Sequence, residues 1–286
     1  MVLQASVVGI VLVAAVVHAT WNALAKAAHD KLHMYLVSNV VPGLIGGVAL
    51  LFLPPPDRSA WLILAISGPM QVVYTALLFG AYRIGDLSQV YPIIRGLSPM
   101  FVALGALVFA GEALSHQQYV GIVIVCVGMA SLAFGHRRSD RRFDWRPLAY
   151  CVLCAAMIAT YTVMDGIGVR RSGSPVAYAC WLFVAYGVGA CVCYPFLSRW
   201  RVPVQVARRT GRAILVGVGV VTAYGLVIYA LSLGAMAPIS ALRETSVFMA
   251  AVIGAVFLNE PFGRRRIVAA AIVTVGLIVL NVPFFE

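Results

Sequence analysis

One stretch of the sequence occurs twice in related form. Residues 95–115 read RGLSPMFVALGALVFAGEALS, and residues 243–263, 148 positions later, read RETSVFMAAVIGAVFLNEPFG. Between 95 and 128 this shift gives 11 identities in 34 positions, and the most informative repeated pairs are Arg95/Arg243, Ser98/Ser246, Phe109/Phe257, Glu112/Glu260 and Gly128/Gly276. A second match, at a shift of 140, aligns residues 19–22 with 159–162. The sequence therefore predicts an internal repeat that covers most of the chain.

The composition around the repeat is that of a membrane protein. Apolar residue types make up 62% of the 286 residues and charged types only 11%, whereas a soluble domain is about half apolar and a quarter charged. A membrane-spanning helix needs about 20 apolar residues. We predict an all-α integral membrane protein with ten spans, at about 3–25, 34–53, 60–82, 87–110, 117–135, 147–168, 175–197, 212–233, 236–258 and 266–284.

The ten spans divide into two halves of five. Residues 1–135 form the predicted first repeat, residues 136–146 a basic linker, and residues 147–286 the second repeat. Because five is odd, the two halves enter the membrane with opposite orientation. Such inverted repeats are typical of secondary transporters, whose substrate site lies between the repeats near the middle of the membrane.

The basic residues predict the orientation of the chain. Of the 21 Lys and Arg residues, 16 lie in loops after odd-numbered spans, whereas the opposite side carries only Arg58, Arg170 and Arg171. Loops rich in Lys and Arg stay in the cytoplasm. We therefore expect a bacterial inner-membrane protein with both termini outside. Because the Arg residues fall in short loops between apolar runs, we expect no nucleic-acid partner despite the net charge of +11.

The ends of the repeated stretches carry a family resemblance. Residues 109–115 read FAGEALS and residues 257–263 read FLNEPFG: in each an aromatic residue precedes Glu, and a hairpin leads into a Gly-containing last span. This pattern resembles the EamA domain of the drug/metabolite transporter superfamily. The resemblance implies a ten-helix carrier that works by alternating access, but it leaves open whether the substrate is an amino acid, a sugar, a nucleotide sugar, a cation or a drug. Better-known members have cytoplasmic termini, opposite to what the charge bias indicates here.

Arg95 is the first candidate for the substrate path. It lies inside the fourth span, on one helix face with Tyr91 and Ser98. An ionisable group inside a span is costly and usually faces a partner or a water-filled path. Arg243 is its repeat mate, followed by Glu244. Since arginine grips carboxylate or phosphonate groups bidentately, the site favours an anionic group on the substrate.

A polar stripe on the first span is the second candidate. Trp21 and Asn22 follow His18 by about one helical turn, and Lys26 follows by another turn on the same face. They are predicted to line the substrate path. A second interpretation is that Trp21 anchors the helix at the membrane interface and that His18 and Asn22 make hydrogen bonds between helices.

Further aromatic and amide side chains belong to the same prediction. Gln71 and Tyr74 form a polar face on the third span, Tyr161 lies on the sixth, and Tyr224 lies on the eighth. Groups of this kind are suited to a small amphiphilic substrate. They are equally suited to helix packing.

Two acids inside spans could carry a coupling proton. These are Asp165, one turn after Tyr161, and Glu244. For Asp165 the alternatives are an interface position or a structural partner for Arg95. Glu112 and Glu260 sit at hairpins, where we expect a structural role.

The sequence gives little support to an enzyme. His29 and His33 have the spacing of a metal pair, but they flank a basic loop, and Cys151 and Cys154 lie inside an apolar span. No phosphate-binding loop or nucleophile elbow is present. We expect no catalytic residues, no metal and no cofactor, and a monomer or homodimer that moves a small polar or amphiphilic metabolite across the lipid bilayer by proton coupling or exchange. The alternatives are a broad-specificity exporter and, from another class, a membrane-embedded enzyme or a structural membrane subunit.

Overall fold

The computed structural model describes residues 3–26, 31–84, 87–133, 146–198, 210–249 and 264–282. Within these ranges the chain is helical between short turns and contains no strand. Ten helices have defined bounds there: α1 (Ala5–Lys26), α2 (Lys31–Ala49), α3 (Arg58–Ile84), α4 (Leu87–Ala110), α5 (His116–Ala133), α6 (Arg146–Arg171), α7 (Pro175–Ser198), α8 (Thr210–Leu233), α9 (Met236–Arg243) and α10 (Arg264–Asn281).

Most helices follow the spans predicted from the sequence. Helix α4 has the predicted limits, and α1, α3, α5, α6, α7 and α8 begin within two residues of them. A capping box opens α5, because Ser115 N donates to Gln118 Oε1 at 3.0 Å and Gln118 N donates to Ser115 Oγ at 3.2 Å. Helix α2 ends at Ala49 rather than at 53, and the predicted ninth span is interrupted after Arg243.

Several of the described helices have the length and surface of membrane spans. Among the described residues, five helices are long and apolar enough to cross a bilayer: Ala5–Ala25, Val90–Ala110, Arg146–Arg171, Pro175–Pro195 and Thr210–Leu233. Three further apolar helices are shorter: His33–Ala49, His116–Leu132 and Ile267–Asn281. Large apolar side chains such as Leu62, Leu104 and Leu215 are 71%, 60% and 62% exposed. An extensive exposed apolar surface of this kind marks a surface that contacts lipid or another protein.

The described helices pack into two compact units. Unit 1 comprises Met1–Gly9, Val73–Val163 and Gly234–Glu286, and unit 2 comprises Ile10–Val72 and Met164–Leu233. Each unit therefore contains helices from both halves of the sequence. The predicted repeat boundaries at residues 135 and 147 divide the chain differently and stay a prediction.

In unit 1 a close crossing joins α5 and α10. A Cβ atom added to Gly128 would lie 3.1 Å from the backbone nitrogen of Val273, and one added to Gly276 would lie 2.8 Å from that of Val125. Glycine permits this approach because it has no Cβ. Gly128/Gly276 and Val125/Val273 are both separated by 148 residues, so exchanging the two repeats converts one contact into the other.

Unit 2 contains a similar crossing between α2 and α7. A Cβ on Gly43 would lie 3.1 Å from Gly187 Cα and 3.4 Å from the carbonyl oxygen of Phe183. A Cβ on Gly187 would lie 3.1 Å from Gly43 Cα and 3.3 Å from the carbonyl oxygen of Asn39. The two sets of contacts are equivalent, which describes a local two-fold axis at this point. Helix α2 also packs against α8.

The repeated Glu motif fixes the start of α9. Gly111 has a φ of 65°, and Glu112 N donates to the carbonyl oxygen of Ala106 at 3.0 Å, the pattern with which glycine ends a helix. Glu112 Oε2 then accepts from Met236 N at 2.8 Å. This carboxylate satisfies a free N–H group at the start of α9, where Ala235 supplies no side-chain cap. The contact gives Glu112 the structural role expected from the sequence, whereas Glu260 lies outside the described residues.

Candidate functional site

Unit 1 contains a buried ion pair. Arg95 on α4 and Glu244, which follows α9, have side chains only 7% and 2% exposed, and Nε of Arg95 lies 2.8 Å from Oε2 of Glu244. Nη2 of Arg95 also donates to the hydroxyl of Ser246 at 3.2 Å. The Nε–H of Arg95 does not point at this oxygen, so Glu244 contacts Nε as a charge, whereas Ser246 accepts a hydrogen bond from Nη2. Nε and Nη2 form one of the edges with which arginine binds an oxyanion bidentately.

Tyrosine side chains surround this pair. The guanidinium carbon of Arg95 lies 6.0 Å from the ring centroid of Tyr91, at the limit for a cation–π contact. Tyr74 and Tyr161 meet edge to face with their ring centroids 6.0 Å apart, and their phenol groups interact electrostatically with Arg95. Tyr74, Tyr91, Tyr161 and Arg95, four of the predicted path residues, are therefore brought together in unit 1.

Glu244 lies where the predicted ninth span is interrupted. Helix α9 ends at Arg243, Glu244 is a turn residue with φ −66° and ψ −16°, and residues 245–249 are helical again. Its N–H donates to the carbonyl oxygens of Ala241 and Leu242. The expectation of a continuous helix over 236–258 was wrong at this point, because no Gly or Pro between 239 and 249 marks the interruption. A short 3₁₀-type turn of this kind inside a helix often marks a functional hinge.

The repeat mates differ in what their side chains do. Ser246 accepts the hydrogen bond from Arg95, whereas Ser98, its mate, donates to the carbonyl oxygen of Ile94 at 2.7 Å. Arg243 is 9% exposed and acts on Glu244 electrostatically. Arg95 contacts the same carboxylate directly. The two repeated arginines therefore differ in how they act on Glu244.

Unit 2 contains a second buried acid. Asp165 on α6 is 0% exposed. Its Oδ1 accepts from Ser67 Oγ at 2.6 Å and from the Tyr178 hydroxyl at 3.0 Å, and its Oδ2 accepts from the Tyr224 hydroxyl at 2.6 Å. Gly168 makes room for Tyr178, since a Cβ at that position would collide with the tyrosine hydroxyl. Asp165 and Tyr224, both predicted site residues, are thus in direct contact.

The polar stripe of α1 packs locally within unit 2. Trp21 meets His18 edge to face at 4.8 Å between ring centroids, and Asn22 Nδ2 donates to the carbonyl oxygen of His18 at 2.8 Å. Trp21 also packs against a buried apolar cluster that includes Met34 and Val216. These contacts suit the packing interpretation as well as the path interpretation. The Lys26 side chain lies outside the described residues, and Gln71 is half-buried on α3.

The described residues hold no group of three or more His, Cys, Asp or Glu side chains that could bind a metal ion. His29 of the sequence-predicted pair lies outside the described residues. Cys151 and Cys154 are buried free thiols. The polar chemistry that the described residues do assemble is the ion pair of unit 1 and the carboxylate of unit 2.

Three contacting residues were not among the sequence candidates. They are Ser246, which accepts from Arg95, and Ser67 and Tyr178, which donate to Asp165. Ser246 carried a usable signal, because it is the repeat mate of the candidate Ser98. Ser67 and Tyr178 carried none, since a lone Ser and a lone Tyr in apolar runs do not indicate their partners.

A family profile, a curated protein and a solved structure each match this chain. The sequence profile of the EamA-like transporter family matches residues 5–134 and 145–282. A protein of Sinorhizobium sp described as "Uncharacterized transporter in cobO 3'region" is 33% identical over 78 residues, which are 27% of this chain and 54% of that protein. The chain thus spans about half the length of this curated relative. A solved structure described as "Crystal structure of protein" aligns with a TM-score of 0.75 at 15% identity over 96% of each chain, which shows a shared fold.

Proposed function

Because the chain belongs to the EamA-like transporter family and is a multi-pass membrane transport protein, we propose that it is a secondary transporter that works by alternating access. Its substrate would be a small polar or amphiphilic metabolite that carries an acidic group. The observation that carries the proposal is the buried ion pair between Arg95 and Glu244 beside the interruption of the ninth span.

The cost of this pair is the reason to assign it a function. Moving a charge out of water costs several kcal/mol, and a buried pair of charges often contributes little net stability. Two apolar residues of similar volume would serve packing at least as well. Charged residues within membrane helices usually mark a substrate or ion path. Arg95, with its ring of tyrosines, is therefore the group that we assign to the substrate's acidic end.

Asp165 in unit 2 and Glu244 in unit 1 are the two proposed candidates for a coupling proton, and Asp165 has the simpler surroundings. Its carboxyl is held by three hydroxyl groups, and hydroxyls can reverse between donor and acceptor when a carboxylate becomes protonated. The site can thus exist in two protonation states with the same partners. His18, Trp21, Asn22, Gln71 and Tyr224 remain proposed path residues of the same unit.

Alternating access needs two pseudo-symmetric halves. We propose that these halves are two inverted repeats of five spans each. The reciprocal glycine contacts between α5 and α10 and between α2 and α7 support this arrangement. The Lys and Arg bias supports cytoplasmic odd-numbered loops and external termini in a bacterial inner membrane. A reporter active only in the periplasm, fused after Glu286, should be active. An active cytoplasmic reporter at that point would contradict the orientation.

Transport measured per protein molecule tests the assignment of Arg95. Uptake into membrane vesicles would be assayed with a panel of small carboxylates, phosphonates and zwitterionic amphiphiles, and normalised to membrane abundance. We expect Arg95→Lys to weaken transport, because lysine offers a point charge without the bidentate fork, and Arg95→Ala to abolish it.

Arg170 provides the matched control. Its Nε donates to the carbonyl oxygen of Leu231 at 2.9 Å, in the last turn of α8, which is a structural contact. Arg170→Ala should lower abundance and leave transport per molecule unchanged. Normal transport per molecule in Arg95→Ala would remove Arg95 from the substrate path.

A further inference from the structure

We propose that Glu244 is a tethered competitor of the substrate: it occupies Arg95 until a proton neutralises it, so that one proton is taken up with each anion bound. This inference rests on the proposed function, since it assigns the coupling chemistry of the same site. It identifies Glu244 as the group that links substrate binding to proton binding.

The competition follows from the geometry around the guanidinium. Oε2 of Glu244 lies 2.8 Å from Nε of Arg95, and Ser246 Oγ lies 3.2 Å from Nη2. A carboxylate, phosphonate or sulfonate that bound Nε and Nη2 bidentately would meet the Glu244 oxygen and the Ser246 hydroxyl at this edge. An incoming anion at this edge must therefore displace the Glu244 carboxylate. The turn at Glu244, between α9 and residues 245–249, puts this side chain at a point where the helix is already interrupted.

The need for a proton follows from the surroundings of Glu244. Among the described residues, the ionisable groups around the pair are Tyr74 on α3, Tyr91 on α4, Cys126 on α5, Tyr161 on α6 and the adjacent Arg243. Helix α10 carries no ionisable side chain between 267 and 281. Arg243 acts on Glu244 electrostatically, whereas Arg95 is the cation in contact with it. A displaced carboxylate would lose that contact while remaining buried, and a carboxyl in that position is neutral rather than charged.

The step is balanced in charge. Before binding, Arg95 is cationic and Glu244 anionic. After binding, Arg95 is cationic, the substrate is anionic, and Glu244 carries a proton taken from the aqueous side. The summed charge of Arg95, Glu244 and any bound substrate is zero in both states, so the buried site never gains an uncompensated charge. Transport of a monoanion by this step is electroneutral.

Binding of a simple sulfonate to the purified full-length protein tests this step. Methanesulfonate keeps a single negative charge from pH 5 to pH 8, and methanesulfonamide is its uncharged control. Binding is read from the rise of the unfolding temperature with probe concentration, because a ligand that binds the folded state stabilises it by mass action. We expect methanesulfonate to bind the wild type more tightly at low pH, with the apparent Kd rising about tenfold per pH unit, the slope for one proton bound per anion.

The variants separate competition from other effects of pH. Glu244→Gln keeps an amide acceptor for Arg95 but has no charge and no proton to exchange, so it should bind methanesulfonate tightly and equally at pH 5.5 and pH 8. Arg95→Gln should not bind it at either pH. Asp57→Asn, a change at an exposed acid of unit 2, should keep the wild-type pH dependence.

Three results would overturn the inference. They are binding to the wild type that does not depend on pH, failure of Glu244→Gln to bind methanesulfonate, and equal binding of the uncharged methanesulfonamide. The wild-type result decides the matter even if a variant fails to fold. If binding is independent of pH while Arg95→Ala still abolishes transport, only this inference fails. If sulfonate binding behaves as expected while Arg95→Ala transports normally, the proposed function of the site fails instead.

Discussion

The two units contain a buried acid each and stabilise it in different ways. Glu244 of unit 1 is paired with a full positive charge, 2.8 Å away on Arg95. Asp165 of unit 2 is held by the hydroxyls of Ser67, Tyr178 and Tyr224. When one partner of an ion pair is neutralised, the charge of the other is left uncompensated. Hydroxyl groups can instead donate to a charged carboxylate or accept from a neutral carboxyl. The comparison suggests that unit 1 discriminates between charges and that unit 2 tolerates a change of protonation.

The largest expected effect comes from breaking the ion pair on one side. Arg95→Ala leaves the Glu244 carboxylate buried without its cation, and such a change costs about 3–5 kcal/mol. The free energy of unfolding in mixed micelles titrated with a denaturing detergent measures it. Replacing both residues, as Arg95→Met with Glu244→Leu, should recover most of that loss. A double variant as unstable as Arg95→Ala would mean that the unpaired Glu244 charge is not the cause of the loss.

A smaller effect is expected at the glycine crossings. Ala at Gly276 would put its Cβ 2.8 Å from Val125 N and 2.9 Å from the Gly121 carbonyl oxygen, so the backbone must shift, at a cost of about 1–3 kcal/mol. Ala at Gly43 in unit 2 meets its nearest atom at 3.1 Å and should cost less.

Gly9→Ala is the control for the crossings, because nothing lies within 4 Å of its added Cβ. Unfolding temperatures in detergent should therefore fall in the order Gly9→Ala, Gly43→Ala, Gly276→Ala, with the last variant the least stable. Equal temperatures for the three variants would contradict the close crossings of both units.

The smallest effect is expected in unit 2. Asp165→Asn keeps an oxygen acceptor for Ser67 and Tyr178, and the Tyr224 hydroxyl can accept from the new amide. The cost should be about 1–1.5 kcal/mol, the difference between a hydrogen bond to a charged group and one to a neutral group. Asp57→Asn, at an exposed acid, controls for the loss of negative charge. If Asp165→Asn destabilised the protein as much as Arg95→Ala, the two acids would not differ in the way described.

The sequence predicted the fold better than the site. Hydropathy located most of the described helices, because it is a local signal. The repeat paired Gly128 with Gly276 but did not predict that these glycines meet at the crossing of α5 and α10. The turn at Glu244 was not anticipated, since no Gly or Pro marks it. The contact of Arg95 with Glu244 was missed as well, since it joins helices 149 positions apart and a single sequence does not reveal which buried charges meet.

The candidates divided in an informative way. Four of the predicted path residues, Tyr74, Tyr91, Arg95 and Tyr161, lie together with Glu244 in unit 1, and their place on a substrate path stays a prediction. The stripe of His18 and Asn22 packs within its own helix. Polar side chains on one helical face are needed both for packing and for transport, so spacing alone does not separate the two roles.

Transport by the charge-free double variant tests the central claim most directly. Arg95→Met with Glu244→Leu removes both charges without leaving one unpaired, so the protein should reach the membrane in near-normal amounts. If the pair forms the substrate site, uptake per molecule should fall to the level of membranes without the protein. Normal uptake per molecule by this variant would show that the ion pair serves only the fold.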